Sequence, residues 1–311
     1  MSRAYLCVSI DTESDKGKGW RCRRPMSFEG ITDGVVRRLH PLFERFRAKP
    51  TYLLSPEVLR DEASVATFRR LAPSAELGTH LHGEYAEPGA FEPDVTKAFQ
   101  RDYPPDVERQ KLTYLTDLFI RAFDHQPQSF RAGRFGLGPS SIGILESLGY
   151  AVESSVTPHM DWSSFGAPGL SFHGAPTQPY RPDPESPGQP GSASILEVPI
   201  TIRRRVWNAL PGLGRRFDPR WLRPTRGTAE GIVRVAQDEI AEARRAAPRR
   251  PVILNAMFHN VEVVPAASPY AANDEDARRI LDRLRALLTF AHREGMSVIG
   301  LSDVPEILAG S

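Results

Sequence analysis

Short apolar runs recur along this chain and alternate with longer stretches in which apolar residues follow a helical period. Most of the runs are bounded by polar or turn-forming residues, which is typical of strands buried on both faces of a parallel sheet. They lie at residues 4–10, 51–55, 76–82, 129–134, 195–201, 252–259 and 296–302. The pattern therefore predicts a parallel β-sheet with strands spread over the whole chain.

Amphipathic helices are expected between several of these strands, because apolar residues there recur every three or four positions. In the first such stretch Pro41 should kink or reset the helix. The second follows Pro104-Pro105, a helix start signal, and the last is stopped by Gly295. The patterns lie at residues 35–46, 112–123, 142–148, 232–243 and 280–291. Repeated strand–helix units indicate an α/β fold, with the sheet either open or closed into a barrel.

Residues 157–226 interrupt this rhythm. They are dense in Pro, Gly, Ser and Arg, most of all at 180–192 (YRPDPESPGQPGS). An irregular loop of that length inside a compact domain is uncommon and tends to be functional or mobile. No internal repeat or coiled-coil heptad accompanies it. We therefore interpret the chain as one domain over 1–311 that carries a long insertion.

Composition and charge narrow the class of protein. Hydrophobic residues make up 40% and charged residues 25% of the chain, values that exclude a mostly disordered protein. The 40 basic and 38 acidic residues leave a net charge of +2, which is too balanced for a protein dedicated to binding nucleic acid. Two cysteines, Cys7 and Cys22, provide neither a disulfide framework nor a cysteine-based zinc pattern.

The pattern predicts neither a membrane span nor an export signal. No segment reaches the roughly 18 apolar residues that are needed to cross a bilayer. The first predicted strand begins at residue 4, which leaves no room for a signal peptide before it. A cytoplasmic location is therefore expected, and the sequence does not indicate an oligomeric state.

Polar side chains stand where four of the predicted strands end. In parallel α/β folds these carboxyl ends meet at one rim, which is where active sites lie. Carboxylates, imidazoles and guanidinium groups are costly to bury together unless they bind something, so four such ends favour a functional site over four solvated strand ends. The residues are Asp11 and Glu13 after the first strand, His80, His82 and Glu84 after the third, Arg131 and Arg134 after the fourth, and His259 after the penultimate strand.

The spacing of the acidic and histidine pairs favours a metal site. Asp11 and Glu13 are two positions apart, so in an extended segment both side chains point to the same face. A divalent cation would relieve their repulsion and leave one carboxylate free as a base, whereas the alternative is a turn-capping Asp11 and a solvated Glu13. His80 and His82 share a face for the same reason. Two imidazoles, one carboxylate and an open position make a hydrolytic zinc site.

His259 ends a strongly apolar run (VILNAMF). A histidine at such a position is either a hydrogen-bonded core group or a proton donor at the mouth of a site. Metal ligands on the neighbouring strands favour the proton donor. The remaining histidines lie in predicted helices or loops without an evident partner, and we interpret them as structural.

The order of these motifs resembles the NodB-homology polysaccharide deacetylases of carbohydrate esterase family 4. Within that family it resembles the divergent branch typified by WalW-like proteins of lipopolysaccharide biosynthesis. SIDTE is similar to the first motif of the family, ELGTHLHGE to its histidine motif, FRAGRFG to its arginine motif and Asp161-Trp162 to its Asp/Trp motif. LNAMFH resembles the motif with the general acid, and VIGLSDVPEIL resembles the closing strand and helix. The resemblance covers nearly the whole chain.

The resemblance implies a distorted (β/α)7 barrel that removes acetyl groups from N-acetylated sugars of a surface polysaccharide or its precursor. It implies that Asp11 is the general base, that Arg131 holds this base and that His259 is the general acid. A divalent metal ion, with Zn²⁺ favoured, would be held by three ligands: Glu13, His80 and His82. Substrate contacts are expected from three further residues: Arg134, Asp161 and Trp162.

Two departures from the family pattern affect the metal ligands. The usual first motif has two adjacent acids, whereas Thr12 intervenes here and makes Glu13 the expected ligand. The usual histidine motif spaces its ligands four apart, a register that places Glu84 opposite His80. Either His82 or Glu84 then completes the set. His82 is favoured because imidazole suits zinc and the period-two spacing points it inward.

Other functions stay open at this point. A carbohydrate-binding barrel that has lost catalysis would account for the altered motifs, and a metal-independent amidohydrolase of the same superfamily would act on small amides. Contact with a membrane surface is a further alternative, because apolar residues stand among arginines in the insertion. Packing of these side chains onto the barrel is favoured. They are Trp207, Leu210, Leu213, Trp221 and Leu222.

Overall fold

The computed structural model of the protein describes residues 2–22, 24–90, 99–204 and 219–310. Within these ranges eight strands form one sheet, and two short strands form a separate antiparallel pair. In chain order the strands are β1 (Ala4–Thr12), β2 (Thr51–Leu54), β3 (Glu76–Leu81), β4 (Ser129–Ala132), β5 (Val152–Glu153), β6 (Leu196–Glu197), β7 (Ile202–Arg203), β8 (Arg220–Trp221), β9 (Val252–His259) and β10 (Ser297–Ile299).

The eight-stranded sheet is parallel throughout and is centred on β1. β9 pairs with β1 along residues 4–11, and the opposite edge of β1 pairs first with β10 and then, from Ser9 onward, with β2. Strands β2 to β6 follow one another in chain order. Beyond β6, the Thr201 amide donates a hydrogen bond of 3.0 Å to the Asn255 carbonyl of β9, so the sheet curls round towards its other edge. The predicted α/β fold with a distorted parallel barrel is confirmed.

Helices cover the outside of the curled sheet. They are α1 (His40–Arg45), α2 (Pro56–Leu59), α3 (Glu62–Leu71), α4 (Pro105–Phe123), α5 (Ser141–Ser147), α6 (Ala229–Ala246), α7 (Asp274–Arg293) and α8 (Val304–Ala309). A π-helical segment over Gly30–Leu39 runs directly into α1, and Pro41 lies in the first turn of α1, so the expected reset occurs there. Pro105 begins α4 as predicted, because a proline at the first helical position loses no hydrogen bond.

The apolar pattern does not predict two parts of this fold. Strand β5 has two residues, one of which is Glu153, so it lacks the apolar run that marks the other strands. The sheet consequently has eight strands where the pattern indicates seven. Helices α2 and α3 are also missing from the prediction. The inner face of α3 buries Ser64 and Thr67 beside Phe68, so its apolar period is weak.

Side chains alternate between the two faces of the sheet, and this alternation decides which residues of each strand point into the barrel. Leu6, Val8 and Ile10 of β1 pack outward into the main hydrophobic core under the helices. The apolar residues on the inner face form a separate cluster lower in the barrel: Cys7, Leu53, Val152, Leu196, Val198 and Ile253. On β1 the same inner face continues through Ser9 to Asp11, so polar groups lie above this apolar floor at the carboxyl ends of the strands.

The insertion of residues 157–226 packs onto the barrel where the structure describes it. It contributes β6 to the sheet and also contains β7 and β8. Leu222 is fully buried, and the Trp221 ring lies 5.8 Å from the Phe135 ring, so both cover the barrel as favoured above. The other residues considered for membrane contact lie outside the described residues: Trp207, Leu210 and Leu213. None of the helices within the described ranges is long and apolar enough to cross a membrane.

Candidate metal centre and active site

Four strands bring ionisable side chains to one rim of the barrel. β1 and β9 pair so that Asp11 and His259 are register partners, and β3 and β4 pair so that His80 is the partner of Arg131. Residues next to them in sequence, such as Phe130, pack into the outer core. Because side chains alternate along a strand, the four ionisable groups point into the barrel.

Three buried side chains at this rim offer ligand atoms within 4.8 Å of one another: Glu13, His80 and His82. The Oε1 atom of Glu13 lies 3.1 Å from Nε2 of His80 and 2.9 Å from Nε2 of His82. Both imidazoles thus point the same nitrogen at one carboxylate oxygen. The structure therefore brings together the three side chains that the sequence predicts as metal ligands.

The hydrogen bonds behind the two imidazoles show that this set fits a cation. Nδ1 of His80 lies 3.0 Å from the Arg131 carbonyl oxygen, and Nδ1 of His82 lies 3.2 Å from Oε1 of Glu84. An acceptor beside Nδ1 favours a hydrogen there, which in a neutral imidazole leaves a lone pair on Nε2; at His82 the donor Nη1 of Arg134 also lies 3.3 Å from Nδ1. With Nε2 deprotonated, the two lone pairs face the Glu13 carboxylate and can bind a cation placed between them. With Nε2 protonated, the form that the raised pKa of His82 favours when no cation is bound, the ring donates to Glu13 instead. Two imidazoles and one carboxylate with such outer partners are a donor set suited to Zn²⁺.

Glu84 supports His82 from behind. Its Oε1 atom faces Nδ1 of His82 and accepts a hydrogen bond of 2.8 Å from Arg134, on the side of the ring opposite to Glu13. Burial would lower the pKa of His82, but Glu13 and Glu84 outweigh burial and raise it to about 9. Burial would likewise raise the pKa of Glu84, but His82 and Arg134 lower it. Of the two third ligands that the sequence leaves open, the geometry favours His82.

The loop after β4 holds a strained conformation against β3. Arg134 and Phe135 have φ of 55° and 57°, a left-handed conformation that costs on the order of 1–3 kcal/mol for a residue other than glycine. A Cβ atom on Gly133 would lie 2.5 Å from the Leu81 carbonyl oxygen, so glycine is needed for this close approach. The strained turn directs Arg134 to Glu84 and Phe135 to the aromatic side chains of the insertion.

A fully buried arginine holds Asp11. Nη1 of Arg131 donates a hydrogen bond of 2.6 Å to Oδ1 of Asp11, while its other nitrogens donate to Ser9 and Ser154. Burial would raise the pKa of the Asp11 carboxyl, but the charges of Arg131, His80 and His259, with the hydrogen bond from Arg131, together outweigh burial, and the pKa is lowered. Asp11 is therefore ionised. Its second oxygen, Oδ2, faces the ligand cluster and lies 3.9 Å from Nε2 of His80.

His259 stands over the ligand cluster and is oriented by a buried carboxylate. Its Nε2 atom lies 3.8 Å from Oδ2 of Asp11 and 3.9 Å from Oε1 of Glu13. Its Nδ1 atom lies 2.7 Å from Oε1 of Glu262, which also accepts a hydrogen bond of 2.5 Å from Arg223. Burial would raise the pKa of Glu262, but Arg223 and His259 lower it to about 2. Because ionised Glu262 requires a hydrogen on Nδ1, Nε2 of His259 is the atom directed into the site.

The sequence prediction does not include Lys16, which lies directly behind the candidate ligand Glu13. Lys16 is 5% exposed, and its Nζ atom lies 2.8 Å from Oε2 of Glu13 and 3.8 Å from Oε1 of Glu57. Burial would raise the pKa of Glu13, but His82 and Lys16 lower it well below its ordinary value. Glu13 is therefore ionised, with Oε1 facing the imidazoles and Oε2 facing the ammonium group. A basic residue three positions after a candidate ligand is too common a pattern to signal this contact.

Glu262 and Arg223 are also absent from the sequence prediction. Glu262 follows His259 by three positions in the same turn, and this spacing is the signal that identifies it in retrospect. Arg223 belongs to the insertion, and its sequence context does not connect it with His259. Its contact with Glu262 depends on how the insertion folds back over β9.

Two residues expected to contact substrate lie in the insertion. The Trp162 ring stacks on Phe135 with centroids 5.3 Å apart, and its Nε1 atom donates a hydrogen bond to Thr157. Trp162 thus contacts the strained loop through Phe135 and lies beside the candidate site. Asp161 is exposed, and its carboxylate accepts a hydrogen bond from the Ser163 amide, which is the geometry of a turn cap.

Comparison with known proteins connects the fold of this chain with solved structures. No protein-family model matches the sequence, and no curated protein is significantly similar to it. A candidate glycoside hydrolase or deacetylase from Parabacteroides distasonis has a TM-score of 0.68 at 14% identity, over 98% of this chain and 71% of that one. A candidate polysaccharide deacetylase from Mycobacterium smegmatis has a TM-score of 0.55 at 15% identity, over 99% of this chain and 91% of that one. Puue allantoinase has a TM-score of 0.56 at 12% identity, over 100% of this chain and 91% of that one. At such identities the likeness establishes the barrel fold alone.

Proposed function

We propose that this protein is a metal-dependent hydrolase that removes the acetyl group from an N-acetylated sugar. The observation that carries the proposal is the convergence of a metal-ligand set, an arginine-held carboxylate and a glutamate-oriented imidazole. Oδ2 of Asp11 and Nε2 of His259 lie 3.8 Å apart, and they lie 3.9 Å from ligand atoms of His80 and Glu13 respectively. Hydrolysis of an amide needs water activation, carbonyl polarisation and protonation of the leaving amine, and these groups suit the three tasks.

The first half of the reaction falls to Asp11. A divalent cation held by Glu13, His80 and His82 would polarise the amide carbonyl and acidify a water molecule. Asp11 accepts a proton as the water oxygen forms its bond to the acetyl carbon. Arg131 keeps the carboxylate ionised and fixes its orientation through a charge-assisted hydrogen bond.

The second half of the reaction falls to His259. The C–N bond breaks as Nε2 of His259 transfers its proton to the sugar nitrogen, because an amide nitrogen is a poor leaving group without a proton. Glu262 stabilises the positive charge of the imidazolium form before the transfer and holds Nδ1–H afterwards. The products are acetate and a free amino sugar. Each proton-transfer group is expected to contribute about 10²–10⁴ in rate.

Two lines of support favour a sugar amide and zinc. The sequence motifs resemble those of NodB-homology deacetylases of the WalW-like branch, and two solved structures with this fold are described as candidate deacetylases. Zn²⁺ is the proposed ion because imidazole and carboxylate donors suit it. The proposed substrate is a surface polysaccharide or its precursor, as the branch resemblance implies, and the proposed location is the cytoplasm.

Metal removal and acetate release test this function. Purified protein is stripped with a chelator, reloaded with Zn²⁺ and assayed for acetate release from a panel of N-acetylated sugars and oligosaccharides. We expect activity to disappear on stripping and to return with zinc. Activity that persists in a strong chelator would identify a metal-independent amidohydrolase. Sugar binding without acetate release by the zinc-loaded protein would identify a binding barrel that has lost catalysis.

A matched substitution separates the metal site from the base. Asp11→Asn retains the shape of the side chain but cannot accept the proton. It should bind zinc with the stoichiometry of the unsubstituted protein and release acetate at least about a hundredfold more slowly. A variant with full turnover would remove Asp11 from the mechanism.

A further inference from the structure

Two segments beside His259 carry a local excess of positive charge. Residues 16–24 (KGKGWRCRR) contain five basic and no acidic residues. Residues 220–226 (RWLRPTR) contain three arginines and no acidic residue. The whole chain has a net charge of only +2, so these two segments are richer in positive charge than the average composition.

Part of this charge is neutralised inside the candidate active site, and part is not. Lys16 pairs with Glu13 at 2.8 Å, and Arg223 pairs with Glu262 at 2.5 Å. Four exposed basic residues have no carboxylate oxygen within 4.0 Å in the part of the chain that the structure describes: Lys18, Arg21, Arg24 and Arg226. Among the described residues, no acidic partner neutralises these four charges.

Two aromatic rings connect one of these charges, that of Arg226, with the candidate general acid. The half-buried Trp20 ring meets His259 edge-on with centroids 4.8 Å apart, and it lies 5.4 Å from the Tyr270 ring. The guanidinium of Arg226 lies over the Tyr270 ring at 5.5 Å. We call this surface the basic shelf and define it by three residues: Trp20, Arg226 and Tyr270.

The loop that carries Trp20 is anchored on both sides. The Lys16 amide donates a hydrogen bond of 2.9 Å to the Ala267 carbonyl, in the segment that leads from β9 to the shelf tyrosine. The Asp15 carboxylate accepts hydrogen bonds from the Ser27 hydroxyl and from the Glu29 and Gly30 amides, at 2.6 to 2.9 Å. A surface held in this way binds a ligand without a large cost in loop ordering.

We infer that the basic shelf binds a negatively charged group of the substrate, on the side of the leaving amine. The inference rests on the proposed function, because His259 marks the position of the sugar nitrogen. A sugar ring that extends from His259 would lie against Trp20 and Tyr270. A phosphate or carboxylate attached to it would then meet Arg226, since a guanidinium group binds both anions. The substrate class is an anionic sugar or sugar conjugate.

Equilibrium binding to the zinc-loaded protein tests the shelf with three probes. N-acetylglucosamine is neutral, its 1-phosphate carries a phosphate, and N-acetylmuramic acid carries a carboxylate. At least one anionic probe should bind about tenfold more tightly than the neutral sugar. The phosphate and carboxylate arms distinguish the two sources of charge. The preference should decrease as the ionic strength rises, because exposed charges are screened by salt.

Two arginine variants supply the matched comparison. Arg226→Gln should lower the ratio of anionic to neutral affinity by about tenfold, the loss expected for one charge-assisted contact. Arg249→Gln should leave this ratio at its wild-type value. Arg249 is also exposed and lacks a carboxylate within 4.0 Å in the described residues, but it precedes β9 at the opposite end of the barrel.

The outcomes separate this inference from the proposed function. Equal binding of neutral and anionic probes, no binding of any probe, or an unchanged ratio in Arg226→Gln would each overturn the shelf. Absence of acetate release from every substrate, together with a retained preference for an anionic probe, would overturn the hydrolase and leave the shelf. Acetate release by a protein that shows no preference for an anionic probe would overturn the shelf and leave the hydrolase.

Discussion

Asp11 and His259 are register partners on adjacent parallel strands, and their Oδ2 and Nε2 atoms lie 3.8 Å apart. Each side chain is held from behind by a buried partner of opposite charge character: Arg131 holds Asp11, and Glu262 holds His259. One atom of each group is thereby left to face the ligand cluster. This arrangement places a proton acceptor and a proton donor side by side in the proposed reaction.

Replacement of His259 with alanine should lower acetate release by at least about a hundredfold and leave the zinc content unchanged, because the variant loses a proton donor and no metal ligand. Steady-state turnover and elemental analysis of the purified variant measure the two quantities. His173→Ala removes an exposed histidine of the insertion and should behave as the wild type. Loss of zinc from the His259 variant would show that this residue is a ligand instead.

His82 and Glu84 should differ in their effect on metal binding. His82→Ala removes a ligand and should reduce bound zinc far below one equivalent. Glu84→Ala removes a partner of the His82 Nδ1 atom and should retain zinc with an affinity that is 10–100-fold lower, the usual cost of losing an outer partner. Titration against a competing chelator measures both. The opposite order of affinities would make Glu84 the third ligand.

The lowered pKa of Glu262 predicts a specific loss of stability in acid. The pKa is about 2 in the folded protein, compared with about 4.3 in an unfolded chain. A carboxylate whose folded pKa is depressed stabilises the fold fully above its unfolded pKa, and this contribution is lost as the pH falls from about 4.3 towards 2. At 1.36 kcal/mol per pKa unit the contribution is about 3 kcal/mol.

Urea denaturation between about pH 5 and pH 2 measures this contribution. Glu262→Gln should flatten the pH dependence of the free energy of unfolding in that window, because the amide does not titrate. Glu306→Gln replaces an exposed glutamate of α8 and should keep the wild-type slope. A wild-type slope in the Glu262 variant would contradict the assignment.

Gly133→Ala should impair the site although it replaces none of the proposed ligands. The added Cβ atom would lie 2.5 Å from the Leu81 carbonyl oxygen and 3.3 Å from the His82 ring, so the end of β3 must shift. Since a misplacement of about 1 Å can cost about a hundredfold in rate, we expect acetate release to fall by about ten- to a hundredfold.

Gly143 of α5 provides the control for this substitution. An added Cβ atom there meets nothing within 4 Å. Gly143→Ala should therefore retain full activity and raise the free energy of unfolding by about 0.5–1 kcal/mol, because alanine loses less backbone entropy than glycine in a helix. Equal activity of the two glycine variants would show that the contact at Gly133 does not position His82.

The sequence predicts the strands, and the clustering of Glu13, His80 and His82, because both depend on short-range patterns. Alternation along an extended segment places His80 and His82 on one face, and it does so in any fold that keeps the segment extended. The parallel arrangement then brings the carboxyl ends of strands to a common rim. Strand β5 escapes prediction because two residues, one of them Glu153, carry too little apolar pattern.

The supporting charges follow no such pattern. Arg131 reaches Asp11 across 120 positions, and Arg223 reaches Glu262 across 39. The contact between Arg131 and Asp11 is predicted only through the family resemblance. For the contact between Arg223 and Glu262, no short-range rule relates an arginine of an irregular insertion to a carboxylate after β9. Lys16 is close to Glu13 in sequence, but its burial depends on the loop that folds over it.

What the chain encodes locally is the periodicity of its strands and helices and the side of each strand on which a polar group lies. These properties follow from backbone geometry over a few residues, so they can be read from the sequence on its own. The identity of the groups behind Asp11, Glu13 and His259 was settled by the packing of distant segments. The ionisation of a buried group depends on the charges within a few ångströms of it, and those distances exist only once the sheet has curled and the insertion has folded onto it.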